Sequence, residues 1–319
     1  MCPSTRAGMI LCVHLGTLGD QASIQHRLIA AAQAGFRGVE LPVAAQPGAL
    51  SDAGQARNLA RAADGLGLSI AVLSADDRIG RDLIVDDPLQ RRRGIELALC
   101  RLDLAARLRA GVLRIAPVLV GDEHDAPAHV AYSDALSRTY EALDGLGHAA
   151  AERGVTIAID VARGRFLLSP CEAADLLDRV NSPHVGAYID LAAVGWIGFV
   201  QDWINTLARH VTAVHAAEPP GGAPECGDAA ARAGKPAGQA SRRAAARQEP
   251  RHPVGTAECS DAAARRQCVG VDWPAVIAAL HTVRFRGPFV CDARDDPAAT
   301  CRRFTALLQT PAAAGPDAA

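Results

Sequence analysis

Short runs rich in Val, Ile and Leu alternate with longer amphipathic runs along most of this chain. The short ones read ILCVHL, GVEL, LSIAVL, GVLRIAPV, VTIAID, VGAYID, VTAVH and GPFVCD. Between them lie SIQHRLIAAAQAG, QARNLARAADGLG, PLQRRRGIELALCRLDLAARL, YSDALSRTYEALDGLGHAAAERG, CEAADLLDRV and WPAVIAALHTV, whose apolar residues recur at helical spacing. Strands buried on both faces and separated by helices predict a parallel α/β fold, and about eight such units favour a closed (β/α)8 TIM barrel over an open sheet. Gly35, Gly67, Gly111 and Gly154 each follow a helical run and precede a strand, where a residue that tolerates a left-handed backbone ends the helix. Those turns define one end of the barrel. Residues at the strand C-termini then share the other rim, where barrel enzymes carry their chemistry.

Length and composition fit this reading. The chain has 319 residues, is 49% hydrophobic and only 4% aromatic, so Ala, Leu and Val must build the core. The stretch 219–268 breaks the rhythm: it is rich in Ala, Gly, Arg, Pro and Ser and has almost no large apolar side chains. Such a segment buries too little surface to offset its ordering entropy, and it reads as a disordered insertion after the seventh strand of a single barrel domain spanning 1–319. The tail 310–319 reads the same way. The basic residues of the insertion, among them Arg242, Arg243, Arg247, Arg265 and Arg266, are interspersed with Glu249, Glu258 and Asp261, as expected of a solvated insert.

A net charge of -2 gives no overall attraction to nucleic acid phosphates or to an anionic membrane. No apolar run approaches the roughly 20 residues that span a bilayer, and the N-terminal MILCVHLG is short, with His14 inside it. Nine cysteines without a C-x-x-C pair argue against both a disulfide framework and a zinc ribbon. A soluble cytoplasmic protein is expected, with a small-molecule substrate and no nucleic acid or membrane partner; a homo-oligomer is left open. There is no G-x-S-x-G, no Walker loop and no G-x-G-x-x-G after a first strand.

Three of the strand runs end on an acid: Asp160 in VTIAID, Asp190 in VGAYID and Asp292 in GPFVCD. A carboxylate at the mouth of a buried strand is costly unless a proton, a cation or a donor compensates it. His215 ends VTAVH one strand before Asp292. Three carboxylates and an imidazole brought to one rim make a mostly oxygen-rich donor set, suited to Mn²⁺ or Mg²⁺, with Co²⁺ and Zn²⁺ as alternatives. Taken singly, each Asp is equally a helix cap or a salt-bridge partner. Glu40 in GVEL reads as a substrate-hydroxyl contact or an inter-strand salt bridge. His14 at the end of the first strand points to the same rim, and Arg163 could hold a phosphate or a sugar hydroxyl, or simply face solvent. Cys291 reads as a small buried hydrophobe.

The runs AAQAGFRGVELPV, DDPLQRRRGIELALCRLDLAARLRAGVLRIAPV, GVTIAIDVARG, NSPHVGAYIDLAAVGW, HVTAVHAAE and GVDWPAVIAALHTVRFRGPFVCDAR resemble, in order, the blocks of the sugar phosphate isomerase/epimerase family, the xylose-isomerase-like barrels. The likeness covers nearly the whole chain except the insertion. It implies a divalent-metal-dependent isomerase or epimerase of a sugar or related hydroxy-carbonyl compound, with Asp160, Asp190, His215 and Asp292 as metal ligands. Asp160 and Asp292 would also move a proton between adjacent carbons through an enediolate. Glu40, His14, Arg163 and Glu218 would contact substrate.

The chain also departs from the family pattern. Asp160 and Asp292 stand where relatives usually carry Glu, which retracts each carboxylate by roughly one C–C bond, about 1.5 Å. Ala193 stands where a His is frequent, and Glu218 replaces an Asp. These changes motivate a rival reading, a barrel that has lost turnover and serves as a binding or regulatory protein. Dehydratase or lyase chemistry belongs to the same enzymatic class as the first reading. An apurinic endonuclease is disfavoured, because AVLSA and RIAPV bring no histidine and the charge is wrong.

Overall fold

In the computed structural model of the chain, residues 8–19, 22–43, 50, 52–75, 77–117, 130–217 and 271–309 are described. The insertion expected at 219–268, the tail 310–319 and Glu218 all lie outside them. Eight parallel strands close on themselves in sequence order: β1 (Ile10–His14), β2 (Gly38–Val43), β3 (Ser69–Ala75), β4 (Val112–Ile115), β5 (Thr156–Asp160), β6 (Val185–Asp190), β7 (Val211–Ala216) and β8 (Pro288–Cys291). The ring is sealed by β1 against β8, with Cys12 opposite Val290 and Val13 opposite Cys291. The TIM barrel read from the sequence is thus the fold of the chain.

The helices follow the same local rules. Helix α1 (Ile24–Ala34) starts at Ser23, whose hydroxyl accepts from the His26 amide, and ends at Gly35 with φ 96°. The helix Pro88–Leu108 has Asp87 as its cap and Pro in its first turn. It ends differently from expectation: Arg109, not Gly111, takes the left-handed position at φ 57°. The short helix Asp77–Ile84 was not anticipated. It lies close enough to the end of β4 that a Cβ on Gly80 would come 1.7 Å from the Ala116 carbonyl oxygen, so only glycine fits there.

Two cores result. The larger fills the space between barrel and helices. The smaller lies inside the barrel and includes Cys12, Val72, Val112, Ala158, Tyr188 and Ala213, mostly small residues as the low aromatic content requires. Strand side chains alternate with period two. The next inward position toward the strand C-termini is therefore two residues further on: His14, Ser74, Arg114, Asp160, Asp190 and His215. Val290 in the same core likewise precedes Asp292 by two. Alternation alone thus gathers a ring of polar groups on top of an apolar plug.

Candidate active site

Register fixes the neighbours in this ring. His14 pairs with Glu40 between β1 and β2, Ser74 with Arg114 between β3 and β4, and Asp190 with His215 between β6 and β7. Glu40 is fully buried. Its Oε1 accepts from the Ser74 hydroxyl, its Oε2 accepts from the Tyr188 hydroxyl at 2.6 Å, and Nη1 of Arg114 lies 3.6 Å from Oε1. Burial works against its charge, but Arg114 and nearby imidazoles hold the Glu40 carboxyl below the usual range. The substrate-hydroxyl role expected of Glu40 is therefore filled by protein donors, and the salt-bridge reading fits it instead.

Arg114 is the residue the sequence reading passed over. Its Nε and Nη2 both donate to Oδ2 of Asp160, the former at 3.1 Å, and its guanidinium carbon lies 4.6 Å from the centre of the Tyr188 ring. One cation thus ties β2, β4, β5 and β6 together. The signal was available: in VLRI, period two puts Arg114 on the inward face that Val112 occupies, and an arginine inside a barrel must find carboxylates.

Asp160 is 1% exposed. Besides Arg114, its Oδ2 lies 3.8 Å from Nη1 of Arg163, which accordingly turns toward the acid. Oδ1 of Asp160 is buried without a hydrogen-bond partner. Burial pushes this carboxyl above the ordinary aspartate range, against the pull of Arg114 and Arg163.

On the other side of the mouth, His215 bridges two acids. Its Nε2 is 3.1 Å from Oδ1 of Asp292 and its Nδ1 is 3.5 Å from Oδ2 of Asp190. Burial alone would lower the imidazole, but the two carboxylates outweigh it and raise it to about 10. Asp190 spends its other oxygen on capping the helix Leu191–Ile197, accepting from the amides of Ala192 at 3.0 Å and Ala193 at 3.2 Å. Asp292 is raised by burial but lowered more by its bond to His215, and it stays below the usual range. His14 lies 4.0 Å from Glu40 and meets the His215 ring edge-on at 6.2 Å, and burial keeps its imidazole toward the neutral form.

The structure thus brings Asp160, Asp190, His215, Asp292, His14, Glu40 and Arg163 to one rim, and it divides the expected metal ligands. Asp160 is held by arginines, while Asp190 and Asp292 sit on opposite nitrogens of one ring. Among the described residues no three His, Cys, Asp or Glu side chains are gathered as a single ion requires. The donor chemistry suits a hard or borderline dication, but the arrangement does not fit one as it stands. The expectation of four donors around one Mn²⁺, Mg²⁺, Co²⁺ or Zn²⁺ is not met by this geometry. A cavity of about 510 Å³ lies at the other end of the barrel, against Ile10, Ser69 and Arg109 among others, and includes none of these groups.

A family model described as xylose isomerase-like TIM barrel matches residues 28–312. The chain belongs to that family. No curated protein matches it. Among solved structures, this xylose isomerase-like barrel is similar to a D-psicose 3-epimerase with D-tagatose from Clostridium cellulolyticum H10, at 15% identity over 95% of this chain and 100% of that one, with a TM-score of 0.69. It is also similar to the 3-keto-D-glucoside 4-epimerase YcjR from E. coli, at 13% identity over 95% and 100%, with a TM-score of 0.65. A third is a D-allulose 3-epimerase from Methylomonas sp. in complex with D-allulose, at 18% identity over 89% and 84%, with a TM-score of 0.61. At these identities the likeness is one of fold. No described helix is long and apolar enough to cross a membrane.

Proposed function

We propose that this chain is an isomerase or epimerase of a sugar or sugar-like hydroxy-carbonyl compound, working by proton transfer. The observation that carries this reading is a pair of carboxyls at one barrel mouth in unlike surroundings: Asp160, 1% exposed and bonded by Arg114, and Asp292, 16% exposed and bonded by His215. Such a split assigns acid and base roles. Asp292, ionised and with its side chain 16% exposed, is the base that removes a proton from the carbon next to the carbonyl. Asp160, whose carboxyl burial raises against the pull of Arg114 and Arg163, is the acid that returns a proton to the adjacent carbon in an isomerisation, the hydroxyl proton passing to the former carbonyl oxygen, or to the opposite face of the same carbon in an epimerisation. Charge then develops on the enediolate oxygen, which the positive charge of Arg114 and the His215 imidazole at the same mouth would favour. The sugar epimerases among the structural relatives support sugars as the substrate class.

A divalent cation, which the sequence led us to expect, would draw on Asp190, His215 and Asp292, and these would first have to leave their present contacts. The test is solvent-deuterium incorporation into a panel of ketoses, read by mass spectrometry with and without added Mn²⁺. Exchange at one carbon is the expected result; none in any member of the panel, under either condition, would overturn the reading.

The rival reading, a binding or regulatory barrel without turnover, is favoured by one observation: the doubly bonded Oδ2 of Asp160. It expects calorimetric binding of a ketose from the same panel with no deuterium uptake.

A further inference from the structure

We infer that Arg114 is the resident cation of this site and takes the electrostatic place that a divalent ion would otherwise take among its acids. The inference rests on reading the mouth as the reactive site and goes on to say what neutralises it.

Four carboxylates face the upper barrel: Glu40, Asp160, Asp190 and Asp292. Buried charges of one sign must be balanced nearby. Arg114, with its side chain 15% exposed, reaches two of them from a strand that offers no other charged residue. Its planar fork is fixed on three sides by Asp160, by Glu40 and by the Tyr188 ring beneath it. Tyr188 in turn donates to Glu40, so the guanidinium sits in a built cradle. A dication drawn to Asp160 would find Oδ2 already accepting two N–H groups and only the buried Oδ1 unpartnered, and it would stand within a few ångströms of a permanent positive charge. The two acids that Arg114 does not reach, Asp190 and Asp292, are occupied by the one imidazole between them.

The arginine also has a positioning role. By occupying Oδ2, it fixes the orientation of the Asp160 carboxyl, whose Oδ1 is left buried without a hydrogen-bond partner. A guanidinium cannot itself give up its proton in this range, so the arrangement separates the charge-bearing group from the proton-bearing one.

Ion uptake by the full-length chain tests this independently of turnover. After chelator treatment, the wild-type protein is titrated with Mn²⁺ by calorimetry, beside Arg114→Met and Arg114→Lys. Wild type and Arg114→Lys should take up no Mn²⁺ below millimolar concentrations. Arg114→Met, with Asp160 and Glu40 released, should bind one ion on the order of 100-fold more tightly and recover with Mn²⁺ the thermal stability it loses without it. A merely structural arginine would lower stability without creating an ion site. Micromolar uptake of one Mn²⁺ by the wild-type chain would overturn the inference, as would a folded Arg114→Met chain that gains no affinity. Should Arg114→Met not fold, the wild-type and Arg114→Lys titrations decide alone. Deuterium exchange with a failed ion test, or the reverse, tells which of the two proposals has fallen.

Discussion

The two sides of the barrel mouth solve the same problem in different ways. On the β2–β4 side, Glu40 is sealed from solvent and both of its oxygens are bonded by Ser74 and Tyr188, with Arg114 alongside. On the β6–β8 side, Asp190, His215 and Asp292 keep side-chain exposures of 11–16% and share a single imidazole. The first arrangement is saturated and has nothing left to offer a ligand. The second is partly open and its members hold one another only through groups that can also titrate. Saturated polar networks specify a structure, whereas partly open ones are available for chemistry.

The sharpest way to break this contrast is to remove Glu40. Glu40→Ala leaves the Arg114 cation without one of its buried partners and should cost about 3–5 kcal/mol of stability, read by urea unfolding. A loss no larger than that of an exposed acid would erase the distinction between the two sides. Asp292→Asn should act mainly on turnover, lowering deuterium exchange into the responsive ketose by about 10²–10⁴-fold, with a smaller loss of stability than Glu40→Ala because His215 keeps Asp190 as a partner. Tyr188→Phe should fall between them, costing about 1–3 kcal/mol because one oxygen of a buried carboxylate loses its donor.

A pH window tests the same contrast. His215 is raised from 6.5 to about 10, so the metal-free chain binds this proton more tightly when folded. The stability it contributes is complete below about pH 6.5 and is lost as pH rises toward about 10. Thermal midpoints of wild type and His215→Asn, measured across that range, should converge at the alkaline end. Curves that run parallel throughout would show that the imidazole is not protonated between its two acids.

The architecture was legible because hydrophobic periodicity is a local property: a strand buried on both faces and a helix with one apolar side announce themselves within a few residues. The acids Asp160, Asp190 and Asp292 were legible for the same reason, each being a polar residue that ends an apolar run. Arg114 was harder to find. It stands inside VLRI, not at its end, and only the closed ring turns its inward face into a mouth. Which acids share a partner was not legible at all. That depends on strand register and side-chain length, as when the short arm of Asp160 lies within reach of a neighbour on β4, while Asp190 and Asp292 find opposite edges of His215. The misplaced turn shows the same limit, since Arg109 instead of Gly111 took the left-handed position on the strength of where the preceding helix ended.

Asp190 carries one more implication. Because Oδ1 seats the opening turn at Leu191 while Oδ2 faces the imidazole, this side chain cannot pivot without unfastening two amides. Whatever tugs on the carboxylate from above must be felt in the backbone below it. The N–H resonances of Ala192 and Ala193 are therefore built-in gauges of occupancy at the rim, readable by NMR without altering a single atom of the machinery.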